Sequence, residues 1–334
     1  MSREIFHALV AREEPDNVFT RRIEERKISD LPDHDVLIKV HFSSLNYKDA
    51  LSASGNKGVT RRYPHTPGID AAGTVVASRS DRVKPGDDVI VTSFDLGTKI
   101  PGGFGQYIRV PAEWIVPLPE GLSLFEAMVF GTAGFTAAQS VLKIVEHGVQ
   151  TKDGKILVSG ATGGVGSISV AILAKLGYEV AAVTGKSEEH DLLRRLGARH
   201  ILSRQEATDT TNRLLLREKW AASIDTVGGE ILATTIKSTR YGGIVTCCGN
   251  VASPALPTSV YPFILRGVTL SGIDSATCPF PIRCNVWSKL AGEWKLNLPR
   301  EAVKVVGLEL LDKEIESILR GKTAGRIVVR LQEG

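Results

Sequence analysis

The stretch KILVSGATGGVG, residues 155–166, decides the fold of this chain. It begins with a short apolar run typical of a buried strand, and residues 165–176 have the apolar spacing of a helix. A glycine-rich turn between strand and helix is the context that a dinucleotide site requires. Glycines let the backbone approach a pyrophosphate, and the helix N-terminus attracts phosphate. The predicted cofactor contacts in this turn are Gly163, Gly164, Val165 and Gly166.

Strands and helices alternate over about residues 129–275, within a predicted domain of residues 129–299. Further strands are predicted at residues 178–184, 200–203, 223–227 and 243–248, with a second helix at 188–196. Alternation of this kind is typical of a parallel sheet with right-handed crossovers. We therefore expect an α/β fold whose central part is a Rossmann, doubly wound domain.

The segments on either side of this region have a different pattern of predicted secondary structure. Residues 1–128 contain short strands, at 36–40, 73–76 and 88–91, separated by turns with glycine and proline, which predicts an antiparallel, barrel-like domain. The tail has a predicted helix at 311–319 and a strand at 326–331 that needs a sheet to join. We expect residues 300–334 to complete the β-rich domain.

The end of the second strand in the Rossmann region indicates which cofactor binds. An acidic residue there would bind the ribose of NAD, but residues 184–187 include no carboxylate. A 2′-phosphate carries nearly two negative charges and favours cations. Lys186, with Arg204 after the third strand, therefore predicts NADPH rather than NADH. Thr184 and Gly185 complete the predicted contacts here.

Composition argues against several other classes of protein. The net charge of +4 is scattered, with no basic stripe, so nucleic acid is not an expected partner. The sequence shows no apolar run of bilayer length and no signal segment, which predicts a cytoplasmic protein with no membrane partner. The cysteines form no C-x-x-C pair and are expected to be reduced thiols. They are Cys247, Cys248, Cys278 and Cys284.

A set of short motifs resembles the medium-chain dehydrogenase/reductase superfamily, and within it the acryloyl-CoA reductase branch. The motifs are NYKDAL at 46–51, PGID at 67–70, GTAGFTA at 131–137, DTVG at 225–228, PFILR at 262–266 and GIDS at 272–275. The resemblance implies a GroES-like domain beside the Rossmann domain. It also implies NADPH-dependent reduction of acryloyl-CoA to propanoyl-CoA by a cytoplasmic homodimer.

The departures from the zinc-containing members of this superfamily are informative. Those members place a ligand cysteine where Asn46 stands here, and a His-Glu pair where Ile69 and Asp70 stand. Only His65 is a nearby imidazole, and one histidine does not make a zinc site. We therefore expect no metal, which argues against alcohol oxidation assisted by a Lewis acid.

Other site residues follow from the resemblance. Tyr47 is the first candidate for contact with the nicotinamide and for proton delivery, although a packed core tyrosine is the alternative. Asn46 would donate to the substrate, orient the cofactor or simply form a turn. Asp49 belongs to the same catalytic segment but favours a capping role at the start of a helix. Further cofactor contacts implied in this way are Thr136, Cys248, Asn250, Ile264 and Ser275.

The acceptor is less well defined than the cofactor. Lys57, Arg61 and Arg62 form a small basic group that would meet CoA phosphates or lie solvated on a loop. A reductase of quinones or other activated alkenes would use the same apparatus. A catalytically silent NADPH-binding sensor is the alternative from another class.

Overall fold

The computed structural model describes residues 5–332. Its strands are β1 (Ile5–Glu14), β2 (Val18–Lys27), β3 (Val36–Ser44), β4 (Asp70–Ser78), β5 (Asp88–Thr92), β6 (Tyr107–Val110), β7 (Val116–Pro117), β8 (Lys155–Val158), β9 (Val180–Val183), β10 (Ala198–Leu202), β11 (Trp220–Asp225), β12 (Thr239–Cys247), β13 (Thr269–Gly272), β14 (Val303–Val306) and β15 (Arg326–Arg330). Its helices are α1 (Tyr47–Ala53), α2 (Leu124–Glu146), α3 (Gly164–Lys175), α4 (His190–Arg195), α5 (Gly229–Ser238), α6 (Tyr261–Arg266), α7 (Phe280–Ala291) and α8 (Leu308–Leu319).

The chain forms two compact units. The first contains the chain up to Thr132, Ala276–Ala291 and the chain from Val303 onward, and the second contains Ala133–Ser275 and Gly292–Ala302. The predicted limits, 1–128 with 300–334 and 129–299, differ from these units mainly in α7.

A buried arginine on α7 accounts for that difference. The Arg283 guanidinium donates to the backbone carbonyl and the Oγ1 of Thr92 in β5, at 3.1 and 2.8 Å. It also lies 4.4 Å from the ring centroid of Phe94. Burial of a charge requires such partners, so α7 packs with the first unit. Nothing in the local sequence pattern of α7 indicates these partners.

The second unit contains the predicted Rossmann domain. Its sheet has six strands among the described residues, in the order β10-β9-β8-β11-β12-β13, and every pair is parallel. This is the strand order of a doubly wound dinucleotide-binding fold, with β8 and β11 on either side of the point where the order reverses. The predicted fold class is confirmed. The second predicted helix, 188–196, is shorter than expected, since α4 follows a 3-10 turn at Ser187–Glu189.

The first unit is built on a largely antiparallel sheet. Within residues 5–332 the sheet follows the order β14-β15-β3-β4-β5-β7, with β6 also paired to β3, and β1 and β2 form a separate hairpin. The tail strand β15 pairs antiparallel with β3. It therefore joins the sheet of the N-terminal unit, which the sequence predicted without giving its partner or direction. β14, which the sequence did not predict, pairs parallel with β15 at the edge of the sheet.

Helix α2 is apolar enough to resemble a membrane span. Leu124–Glu146 has the length and hydropathy of a bilayer-crossing helix, although the sequence alone had suggested no such run. However, 72% of its apolar window is buried within the protein. Gly131 also breaks the helix, with φ 51° and ψ −156°. These observations fit a core helix of a globular protein.

Two neighbouring leucines of helix α8, Leu310 and Leu311, allow the packing of the first unit to be tested because they differ in burial. Leu311 is fully buried in a core shared with β3, β4 and β15, whereas Leu310 is 51% exposed. We expect Leu311→Ala to lower the free energy of unfolding by about 2–5 kcal/mol and Leu310→Ala to change it by less than about 0.5 kcal/mol. Urea unfolding of both variants measures this. Equal effects would contradict the packing described here.

Candidate cofactor and active site

The turn after β8 has a backbone path that only glycine allows. Gly160 has φ +60°, and a Cβ there would lie 2.3 Å from Thr226 Oγ1. In the first turn of α3, a Cβ on Gly166 would lie 2.3 Å from the carbonyl oxygen of Gly160. The helix N-terminus therefore packs directly against the turn. Its first backbone N–H groups, which have no partner within the helix, face the carboxyl edge of the sheet where a pyrophosphate binds.

A buried carboxylate on the neighbouring strand supports this turn. Ser159 Oγ donates to Asp225 Oδ2 at 2.7 Å, and the N–H groups of Val227 and Gly228 donate to Oδ1 at 3.1 and 2.6 Å. Burial raises the pKa of Asp225, while these donors oppose the rise. Sequence reasoning missed the supporting role of Asp225, although it quoted the DTVG motif that begins there.

Two cations meet beyond the carboxyl ends of β9 and β10. A Cβ on Gly185 would lie 2.8 Å from Arg204 Nε, so the arginine crosses directly over this glycine. Burial lowers the pKa of Lys186, the charges of Glu189 and Glu188 raise it, and the charge of Arg204 makes a smaller lowering contribution. Arg204 thus crosses over the residue that precedes Lys186, which is where two cations would be needed for a doubly charged phosphate.

Several of the predicted cofactor contacts lie at one edge of the sheet. Because parallel strands end on the same edge, the residues that directly follow them lie along one line. Those residues are Gly163–Gly166 after β8, Thr184–Lys186 after β9, Arg204 after β10, Cys248 and Asn250 after β12 and Ser275 after β13. Thr136 and Ile264 instead lie on α2 and α6, the first buried and the second exposed.

Cys248 has a structural role in this edge. Its backbone N–H donates to the carbonyl of Asp225 at 3.0 Å. Burial raises the pKa of its thiol to about 12, so the thiol stays protonated and is a poor nucleophile. All four cysteines are free thiols, as predicted.

In the first unit, the predicted catalytic segment lies at the start of α1. The backbone N–H of Asn46 donates to Asp49 Oδ2 at 2.8 Å, which is the capping role predicted for Asp49. The side-chain amide of Asn46 donates to Asp70 Oδ2 at 2.8 Å and to Asp49 Oδ2 at 3.2 Å. Both of its N–H donors therefore have partners inside the protein. This favours a turn-forming role for Asn46 over donation to a substrate.

Asp70 is the centre of a buried network that joins several elements. It accepts hydrogen bonds from Ser44 Oγ at 2.5 Å and from the N–H and Oγ1 of Thr132 at 2.9 and 2.5 Å. Arg326 on β15 donates to Ser44 Oγ at 2.8 Å and to the carbonyl of Val129 at 2.9 Å. Burial lowers the pKa of Arg326, and the charge of Asp70 opposes this. A cation and a carboxylate linked through one hydroxyl satisfy each other in the interior.

Asp49 and Tyr47 have contrasting exposure. Asp49 is fully buried and also accepts the backbone N–H of Ile69 at 2.8 Å. It therefore positions α1 against the PGID segment, which supports the capping role, and its place among the catalytic candidates stays a prediction. Tyr47, the first residue of α1, is 39% exposed. The alternative of a packed core tyrosine does not apply to it.

The three residues of the basic group predicted to meet CoA differ in their surroundings: the lysine is paired with a carboxylate, and the two arginines are exposed. Lys57 Nζ lies 2.5 Å from a Glu13 carboxylate oxygen and 4.9 Å from the ring centroid of Tyr63. Its charge is already compensated. Arg61 and Arg62 are exposed.

Comparison with known proteins agrees with this architecture. The family described as "Alcohol dehydrogenase GroES-like domain" matches residues 32–120, and the family described as "Zinc-binding dehydrogenase" matches residues 164–290. A GroES-like domain joined to a Rossmann domain with a nucleotide turn defines a two-domain oxidoreductase of the dehydrogenase type.

Similar proteins cover almost the whole chain. The acrylyl-CoA reductase AcuI of Ruegeria pomeroyi is 43% identical over 97% of this chain and 99% of its own length. YhfP of Bacillus subtilis, which carries the name "Putative quinone oxidoreductase", is 44% identical over 98% of this chain and 99% of its own length. The crystal structure of YhfP with NAD bound superposes with a TM-score of 0.95, covering 98% of this chain and 100% of that one. The yhdH oxidoreductase of Salmonella enterica, solved with NADP, is 42% identical, with a TM-score of 0.93 over 98% and 100%. This chain belongs to the medium-chain dehydrogenase/reductase superfamily, a superfamily of oxidoreductases.

The zinc in one family description does not fit the residues around Asn46. Residues 5–332 contain no group of three or more histidine, cysteine, aspartate or glutamate side chains that could hold a metal. The two carboxylates beside Asn46 accept hydrogen bonds from amide, hydroxyl and backbone donors, and thiolate or imidazole ligands are not among their partners. The metal-free site stays a prediction, and this set of donors supports it.

The buried Asp49 carboxyl predicts a dependence of stability on pH. Burial, together with the charge of Asp70, raises the pKa of Asp49 to about 7. An unfolded aspartate has a pKa of about 3.9, so between about pH 4 and about pH 7 the folded chain holds a proton that the unfolded chain has lost. Stability from this group is therefore complete at low pH and is lost as the pH rises through about 7.

Asp49→Asn should remove this slope, because an amide does not titrate. The wild type should lose at most about 1.4 kcal/mol per pH unit from Asp49 across the window, and the variant should lose none of it. Urea unfolding at several pH values measures the slope. Asp81→Asn, at an exposed position, is the control and should leave the slope unchanged. Parallel pH profiles for wild type and Asp49→Asn would contradict the prediction.

Proposed function

We propose that this chain reduces the carbon–carbon double bond of acryloyl-CoA to propanoyl-CoA with NADPH, without zinc. Family membership makes it an oxidoreductase of the enoyl or quinone reductase kind. The pair of cations beyond the ends of β9 and β10 supports NADPH as the cofactor. The 43% identity to an acrylyl-CoA reductase over 97% of the chain supports acryloyl-CoA as the substrate.

The proposed cofactor site has two parts, both in the second unit. The glycine turn and the N-terminus of α3 would hold the pyrophosphate through backbone N–H groups. Lys186 and Arg204 would hold the 2′-phosphate, since two adjacent cations repel each other until an anion lies between them. The relative from Salmonella enterica is bound to NADP and that from Bacillus subtilis to NAD, so cofactor choice is a property to test in this chain itself.

When bound, NADPH supplies the hydride for the β-carbon of the enoyl thioester. The protein must then stabilise negative charge on the thioester oxygen and deliver a proton to the α-carbon. Tyr47 is our candidate for contact with the nicotinamide and for proton delivery, because its position at the start of α1 leaves it exposed. Asn46 and Asp49 would act through it, by fixing the first turn of that helix.

A quinone reductase is the second candidate, favoured by the 44% identity to YhfP. It would need the same cofactor site but no subsite for CoA. The non-catalytic sensor would bind NADPH and reduce no acceptor. The predicted homodimer and cytoplasmic location are part of the proposal.

Lys186→Ala should change the KM for NADPH much more than the KM for NADH. We expect KM for NADPH to rise about tenfold or more and KM for NADH to change less than about twofold, because only NADPH carries the phosphate that the lysine contacts. Initial rates followed at the nicotinamide absorbance measure both constants.

Lys152→Ala is the matched control for this experiment. Lys152 is exposed and precedes β8, at the amino edge of the same sheet, so its loss should alter neither constant. If Lys186→Ala changes both constants equally, the assignment of the 2′-phosphate to Lys186 is wrong.

The substrate is tested by comparing acceptors on the wild-type protein. With saturating NADPH, acryloyl-CoA should give a kcat/KM at least about a hundredfold above that of a simple quinone, because binding of remote parts of a substrate assists the chemical step. A larger value for the quinone would replace the first proposal by the second. Tight NADPH binding without oxidation by either acceptor would favour the sensor.

A further inference from the structure

The first unit contains a small cavity that is separate from the cofactor contacts described above. It has a volume of about 140 Å³ and lies between the β1–β2 hairpin and the segment that precedes β4. Three cationic side chains, one carboxylate and one buried imidazole line it. They are Arg26, Arg62, Lys99, Asp30 and His65.

The charges of these lining residues do not cancel. Because Lys99 is already paired with Asp95, Arg26 and Arg62 against Asp30 leave one positive charge in excess. Arg26 is only loosely paired, with its Nε 3.9 Å from Asp30, and Lys99 pairs with Asp95, which is not among the lining residues. A concave, positively charged wall of this kind favours an anion.

The imidazole supplies a second, independent indication of a ligand. His65 is 7% exposed, and its Nε2 atom has no hydrogen-bond partner among residues 5–332. Burial lowers the pKa of His65, against a backbone hydrogen bond to Gly97, and so favours the neutral ring. A buried nitrogen without a partner is costly, and a ligand that shares a proton with it would remove that cost.

The volume of the cavity admits a single phosphate group, since one water molecule needs only about 10–15 Å³ of such space. Phosphate suits the walls because it offers several acceptor oxygens for the cations and, when singly protonated, one O–H for the imidazole nitrogen.

We propose that this cavity binds a phosphate group through Arg26, Arg62 and Lys99, with one proton shared between the phosphate and His65. Its sources are the 3′-phosphate of a CoA substrate or free inorganic phosphate. The CoA source rests on the proposed function.

The chain places this cavity close to the catalytic segment. Thr66, which lines the cavity, precedes Asp70 by four residues, so their Cα atoms are at most about 14 Å apart. Asp70 holds the Asn46 amide at 2.8 Å. A CoA ester whose acyl end lies near α1 would therefore have its phosphate end within reach of the cavity.

Calorimetric titration of the full chain, saturated with NADP, tests the proposal. The probes are CoA, dephospho-CoA and inorganic phosphate. Arg62→Ala should weaken binding of CoA about tenfold or more and leave dephospho-CoA unchanged. Arg61→Ala removes the neighbouring exposed arginine, which is not among the lining residues, and should change each affinity less than about twofold.

The arms of the experiment distinguish the two sources. If Arg62→Ala weakens CoA but not dephospho-CoA, the ligand is the 3′-phosphate. If it weakens inorganic phosphate while CoA and dephospho-CoA bind alike, the site binds free phosphate. If no probe depends on Arg62, the proposal is overturned. Because binding is measured without turnover, a failure of the acryloyl-CoA reaction leaves this result interpretable.

Discussion

The close approach of helix α3 to the turn before it is the constraint on which the nucleotide-binding unit depends. A side chain on Gly166 would begin 2.3 Å from the Gly160 carbonyl, so the helix can start here only with hydrogen at that position. Glycine in a helix costs about 1 kcal/mol relative to alanine, and packing of the buried face of α3 offsets that cost. What the protein gains is a helix N-terminus directly at the edge of a parallel sheet.

Buried carboxylates hold the functional segments of both units in the same physical manner. Asp225 accepts two backbone N–H groups and a serine hydroxyl beside the glycine turn. Asp49 and Asp70 accept backbone, amide and hydroxyl donors around the start of α1. A buried charge that is fully hydrogen-bonded tolerates little movement, because each lost partner leaves a group unsatisfied. These carboxylates therefore hold the first turn of α1 and the glycine turn in place.

The surroundings of two lysines differ between the units. Lys57 has Glu13 beside it and two aromatic rings beneath it, so it has little field to offer a ligand. The charges of Glu188, Glu189 and Arg204 all act on Lys186, and Arg204 crosses over the neighbouring Gly185. The charges around a lysine, and not the residue type alone, therefore set its electrostatic surroundings.

The sequence by itself determined the class of fold, the glycine turn and the place of the tail strand. Those features are encoded by local spacing: apolar runs alternate with helices, and glycines stand where the backbone must turn sharply. The cations of the cofactor site could also be predicted, because each directly follows a predicted strand.

Only the tertiary structure decided which polar residues meet in the interior. Asp70, Ser44 and Arg326 lie far apart along the chain and are joined only when β3, β4 and β15 come together. The packing of α7 with the first unit depends likewise on a long-range contact of Arg283 with Thr92. The full burial of Asp49 is likewise visible only in the structure. Local patterns record the geometry of neighbours in sequence, whereas burial and hydrogen bonding depend on which distant segments the fold brings together.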